Sequence, residues 1–146
     1  MGKIKMEIVA TAGMGTIGTQ QVPSGNAIPL TVNFTPSNSF FFHVPGSTQI
    51  TVAPNEIYWI NYNLSAGGRC QDLISILRLN GFFLLGSESS SDLLSLNQLQ
   101  GHIVLHGGCI VHTNKNASVL ELVVFDASSG DHVGTKNVNI RIFKLS

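Results

Sequence analysis

The sequence predicts an all-β sandwich or barrel. Apolar residues alternate with polar ones in five separate stretches, and turn-forming clusters punctuate the chain at the close spacing typical of such folds. A third observation concerns the surface. Only 11% of the 146 residues are charged while 43% are hydrophobic, against a usual charged share of about 25%. A free monomer of this size should carry more charge for solubility, so much of the surface is expected to be buried against copies of the same chain.

The alternating stretches come in order. Ile28, Leu30, Val32 and Phe34 are separated by Pro29, Thr31 and Asn33. Ile50 and Val52 alternate with Gln49 and Thr51, and Tyr58, Ile60, Tyr62 and Leu64 with Asn61 and Asn63. Leu120, Leu122 and Val124 lie opposite Glu121, and Val138, Ile140 and Ile142 oppose Asn137, Asn139 and Arg141. Each reads as a strand with one face on a core. Leu73–Leu79 carries apolar residues on both faces, with Leu73, Leu77 and Leu79 one way and Ile74 and Ile76 the other.

Turn signals fall between them: Pro23-Ser24-Gly25-Asn26, Thr35-Pro36-Ser37-Asn38, Val44-Pro45-Gly46-Ser47, Ala53-Pro54-Asn55, Ala66-Gly67-Gly68, Gly107-Gly108 and Ser128-Ser129-Gly130-Asp131. The sharpest is Asn80-Gly81, whose residues readily take the positive φ angles of a tight hairpin. Ser89–Gln100 fits a loop plus a strand leading into His102–Val111 better than a short helix capped by Asp92. The first 25 residues read as an N-terminal strand or lead-in segment, and residues 26–146 as one domain.

Eight Lys and Arg balance eight Asp and Glu, which leaves no electrostatic footprint for nucleic acid or an anionic membrane. The composition is too apolar for a disordered chain. No apolar run reaches the length of a membrane-spanning helix, and the N-terminus lacks the apolar region of a signal peptide. Met1-Gly2 begins like a myristoylation site, but Met6 stands where Ser or Thr is needed.

Candidate chemistry is sparse. His102, His106, Cys109 and His112 form the one cluster of metal-like ligands, at a spacing that matches no standard zinc pattern. His102 and His106 would sit about 13 Å apart on a strand; a fold at Gly107-Gly108 could gather His106, Cys109 and His112. The plainer reading is surface or interface histidines, and the expectation is no metal and no cofactor. Cys70 and Cys109 read as two buried free thiols, with a disulfide unsupported by spacing. No Gly-x-Ser-x-Gly elbow occurs and the carboxylates are scattered, so no catalytic residue is expected. Asp126–Asp131 reads as a surface turn rather than a calcium loop. Gly13-Met14-Gly15-Thr16-Ile17-Gly18 spells a dinucleotide fingerprint without the βαβ context that gives it meaning. The sequons at Asn33, Asn63 and Asn116 read as chance.

Four stretches carry a resemblance. They are Gln21-Val22-Pro23 with Ala27-Ile28-Pro29-Leu30; Ser47-Thr48-Gln49-Ile50-Thr51-Val52 with Glu56-Ile57-Tyr58-Trp59-Ile60-Asn61-Tyr62-Asn63-Leu64; Leu77-Arg78-Leu79-Asn80-Gly81; and the ending Asn137–Ser146. In this order they resemble the C-terminal domain of the collagen-like glycoproteins on the exosporium of Bacillus-type spores. That domain belongs to the tumour-necrosis-factor-like jelly-roll superfamily, shared with complement globular heads. Asn55-Glu56 stands where the family usually has Gly, and no Gly-X-Y triplets of a collagen-like stalk occur.

The resemblance implies a homotrimer of ten-stranded antiparallel jelly-roll sandwiches, with one sheet of each protomer toward the threefold axis. Tyr58, Tyr62, Phe143 and Phe40–Phe42 are then candidates for axis or subunit contacts, with ordinary core as the alternative, and one His per protomer on that axis is a second route to a metal site. The implied function is a structural, non-enzymatic display domain on a spore or extracellular surface. Its partners would be itself, spore-surface proteins, or a host-surface receptor or glycan. The alternative is a receptor- or carbohydrate-binding head of a phage fibre or adhesin, working through outward loops at Ser87–Ser91, Asn114–Asn116 and Ser128–Asp131.

Overall fold

A computed structural model describes residues 6–67, 72–92, 103–127 and 131–146. Among them the strands are β1 (Ile8–Gly15), β2 (Thr19–Pro23), β3 (Val32–Asn33), β4 (Phe41–Phe42), β5 (Ile50–Val52) and β6 (Ile57–Gly67), followed by β7 (Asp72–Leu79), β8 (Phe82–Phe83), β9 (Ser89–Asp92), β10 (Ile103–His112), β11 (Ser118–Asp126) and β12 (His132–Leu145). Twelve segments thus appear where the resemblance implies ten strands, three of them only two residues long. They form two antiparallel sheets. The first runs β10-β6-β12-β1-β3, with β2 beside β12; the second runs β4-β5-β11-β7-β8, with β9 beside β7. Strands consecutive in the chain mostly lie in different places in these sheets, which is the jelly-roll pattern of crossovers between two layers.

Alternation explains the layers. Along β6, Tyr58, Ile60, Tyr62, Leu64 and Ala66 are buried, while Trp59 and Asn63 are exposed. From the second sheet Leu73, Leu77, Leu120, Leu122 and Val124 face them across the core. The stretch from Ile28 departs from its expectation. Ile28 and Leu30 are fully buried, but only Val32–Asn33 pairs as a strand, and Phe34 is exposed. Pro29 has no N–H to give to a ladder, so the chain there is held by single bonds such as Ile28 N–H to Leu122 O at 2.9 Å. At Asn80-Gly81 both residues have positive φ, 52° and 84°, as a two-residue type I′ hairpin requires.

Residues 8–23 supply β1 and β2, which pair with successive parts of β12. Between them Gly18 turns with φ 91°, and Asn137 forms a bulge in β12 with φ 52°. One end of the sandwich gathers Glu7 and the C-terminal Ser146, whose N–H donates to Glu7 O at 2.9 Å. The 53–56 and 113–117 loops and Asn80 lie at this same end, tied by Asn55 N–H to Asn114 O at 2.8 Å and Asn80 N–H to Val119 O at 2.8 Å. Ser89–Asp92 is a strand, while the rest of the Ser89–Gln100 segment lies outside the described residues, as do Cys70, His102 and residues 128–130.

Candidate interaction face

The two sheets differ in what covers their outer surfaces. On the second sheet, Phe83 packs edge-on against Phe125 at 5.8 Å, and Val123 is fully buried beneath the chain at Ala27. Arg78 and Glu121 form an ion pair at 3.1 Å across that surface. Among the described residues nothing covers the first sheet in this way. Three central rows of its outward residues follow from strand register: Ile110, Trp59, Phe143 and Thr11; then Gly108, Asn61, Arg141 and Gly13; then His106, Asn63, Asn139 and Gly15.

The first row is apolar from Ile110 to Phe143 and ends on the exposed Thr11. The Trp59 and Phe143 rings stack at 5.2 Å between centroids, yet Trp59 stays 43% exposed and Ile110 62%. The second row is polar and shallow. Arg141 lies over Gly13, its Cδ 3.4 Å from where a β-carbon would stand, and its Nε donates to Asn139 Oδ1 at 3.1 Å. At Gly108 a β-carbon would come within 2.5 Å of Ile60 O. Glycine there lets the edge strand β10 lie close to β6. A sheet face that exposes Ile110 and Trp59 beside stacked aromatics, on an otherwise charge-poor chain, is the kind that protein contacts use.

The reverse side of the same strands explains the scaffold. The Tyr62 hydroxyl donates to Ser87 O at 2.7 Å and also meets Ser75 Oγ at 2.9 Å, which ties the two sheets together. Burial pushes its phenol up to about 12, with the nearby Glu88 charge adding to the rise. Tyr58 is likewise pushed to about 12, chiefly by burial and then by Glu56, and its hydroxyl donates to Ala53 O at 2.9 Å. Lys144 is also buried; it pairs with Glu56 at 3.1 Å and lies 4.8 Å over the Phe40 ring. His43 is buried with its two ring nitrogens on Asn33 Oδ1 and Ser47 O.

Among the residues singled out from sequence, Tyr58, Tyr62 and Phe41 are core, Phe42 is exposed, and Phe143 is on the open face. Trp59 was not singled out, although its place opposite Tyr58 and Ile60 in the alternation was the available signal. β10 runs straight through Gly107-Gly108, because each is paired across to β6. His106 and His112 therefore project outward six positions apart, while Cys109 turns toward the core, and no fold gathers the three. Among the described residues no cluster of three such ligands stands close enough to hold a metal. Burial raises the Cys109 thiol above its ordinary range. Of the outward loops, Ser87 is fully buried and Ser89–Asp92 is strand, so Ser87–Ser91 is not the exposed loop expected; Asn114–Asn116 is exposed.

This topology defines a jelly roll of the tumour-necrosis-factor type. Among solved structures, Eiger TNF from S. frugiperda superposes with a TM-score of 0.71 at 14% identity, covering 96% of this chain and 94% of its own. The globular domain of zebrafish complement 1qA protein gives 0.65 at 12% identity over 91% and 94%, and murine APRIL gives 0.55 at 6% over 92% and 98%. These superpositions show a shared fold, and at such identities the likeness is one of fold alone. No family model and no curated protein matches the chain by sequence.

Proposed function

We propose that the chain is a homotrimeric, non-enzymatic head domain displayed on a surface. The observation that carries this reading is the open face of the first sheet, where Trp59 and Ile110 are exposed and Phe143 stacks half-buried beside Trp59, on a chain that is 11% charged. A second copy covers it best. The hairpin edge of β7 to β9 also exposes Phe82 (78%) and Leu85 (88%), so the chain has two unlike apolar surfaces. Unlike surfaces that meet give a head-to-tail contact, and such contacts close into rings when the rotation allows. The likeness in fold to tumour necrosis factor and complement heads supports three copies, and the sequence resemblance supports a spore or other extracellular surface.

Two experiments test the reading separately. Sedimentation equilibrium reports the assembly. Immunogold labelling of spores from the source organism reports the location, and label confined to the cell interior would remove the display role while leaving the trimer intact.

A further inference from the structure

We infer that assembly is specified by an ion pair between Arg141 on the open face of one protomer and Glu88 on the hairpin edge of the next. The inference rests on the trimer reading above and names the pair that sets its register.

Any copy that covers Trp59 and Phe143 also covers Arg141, two residues along β12 on the same face. Among the described residues the ion pairs are Arg78–Glu121 and Lys144–Glu56, so Arg141 has Asn139 as its side-chain partner and no carboxylate. A guanidinium covered without an anion is strongly unfavourable, so the covering surface must bring one. Glu7, at the terminal end, and Asp131, at the opposite end, are exposed; Glu88 is exposed between the two ends, three residues from Leu85.

Level along the strands selects among them. The open face and the edge built from β8, β9 and β10 are adjacent sides of one sandwich that share the strand direction. In the proposed trimer the threefold axis runs along that direction, and rotation about it brings the edge of one copy to the face of the next. A rotation moves nothing along its own axis, so groups that meet must lie at the same level. Ser87 O lies 2.4 Å from the β-carbon position of Gly107, and Ser89 Oγ accepts the His106 N–H at 3.3 Å, which sets Glu88 level with the middle of β10. Arg141 pairs with Asn61, and Asn61 with Gly108, at that same level. The apolar parts match as well. Phe82, paired with Leu79, lies toward the terminal end from Glu88, whose neighbour Ser89 pairs with Ser75, as Phe143 and Trp59 lie toward it from Arg141.

Charge exchange tests the pair. Arg141→Glu and Glu88→Arg should each raise the concentration at which trimers dissociate by at least about tenfold, and the double variant should recover most of the loss. Glu88→Gln keeps an acceptor for the Gly86 N–H, now bound by Glu88 Oε2 at 2.6 Å, and should weaken assembly all the same. Far-ultraviolet circular dichroism checks that every variant stays folded. Trimers unaffected by the single changes, or a double variant no better than the singles, would overturn the pair while leaving the trimer standing. A monomeric wild-type chain would overturn both.

Discussion

The Tyr62 hydroxyl stands 2.8 Å from the point where a Gly107 β-carbon would lie, and Ser87 O stands 2.4 Å from the same point. The hydrogen bond that ties the sheets together therefore occupies the space of the missing side chain. Gly107→Ala must displace a backbone carbonyl rather than the end of a flexible side chain. It should lower stability by about 1–3 kcal/mol, read from urea unfolding of the assembled protein. An unchanged midpoint would mean that the edge strand shifts without cost.

Tyr62→Phe removes the hydroxyl but keeps the ring. Ser75 and Ser87 lose a buried partner, so the expected cost is about 1–3 kcal/mol. The pH dependence has a definite sign. The Tyr62 phenol is raised from 10.0 to about 12 in the fold, so folding favours its protonated form. Its contribution is complete below pH 10.0 and is lost as pH rises through about 12. Tyr58 acts in the same direction over the same window. Alkaline unfolding should therefore be shallower in Tyr62→Phe than in the wild type, and shallower again when Tyr58→Phe is added. Identical alkaline limbs in all three would contradict the burial of these phenols.

Cys109 should be slow to react. Burial raises its thiol, which keeps the nucleophilic thiolate scarce at neutral pH, and the side chain is turned toward the core. In a Cys70→Ser background, a disulfide reagent at pH 8 should label Cys109 at the rate of unfolding. Labelling as fast as a free peptide would place the thiol in solvent.

Trp59 is the single tryptophan in the chain and lies on the open face, so its emission reports assembly. Dilution through the dissociation range should shift emission to longer wavelength with no loss of β-sheet signal. Trp59→Asp should yield folded monomers, at a cost to assembly of about 2 kcal/mol or more. Emission that never moves with concentration would show that this face is not the contact.

The all-β class was legible because burial on one face leaves a period of two in the sequence, and β6 shows it through its whole buried series from Tyr58 to Ala66. The hairpin at Asn80-Gly81 was legible because positive φ restricts residue choice. What the alternation cannot show is which side of a strand meets which neighbour. Tyr58 and Phe143 look alike as aromatic residues in strands, yet one is sealed in the core and the other lies on an open face. The same limit hid Trp59 and the packing reason for Gly107 and Gly108. Both depend on β6 lying beside β10, strands some 40 residues apart in the chain. The histidine spacing on β10 was ambiguous until the strand proved straight.

Sedimentation equilibrium tests most directly whether the open face is a subunit contact. A mass of three protomers of 15.6 kDa, falling to one in Trp59→Asp, is the predicted result. A single species at the protomer mass up to high concentration would contradict it.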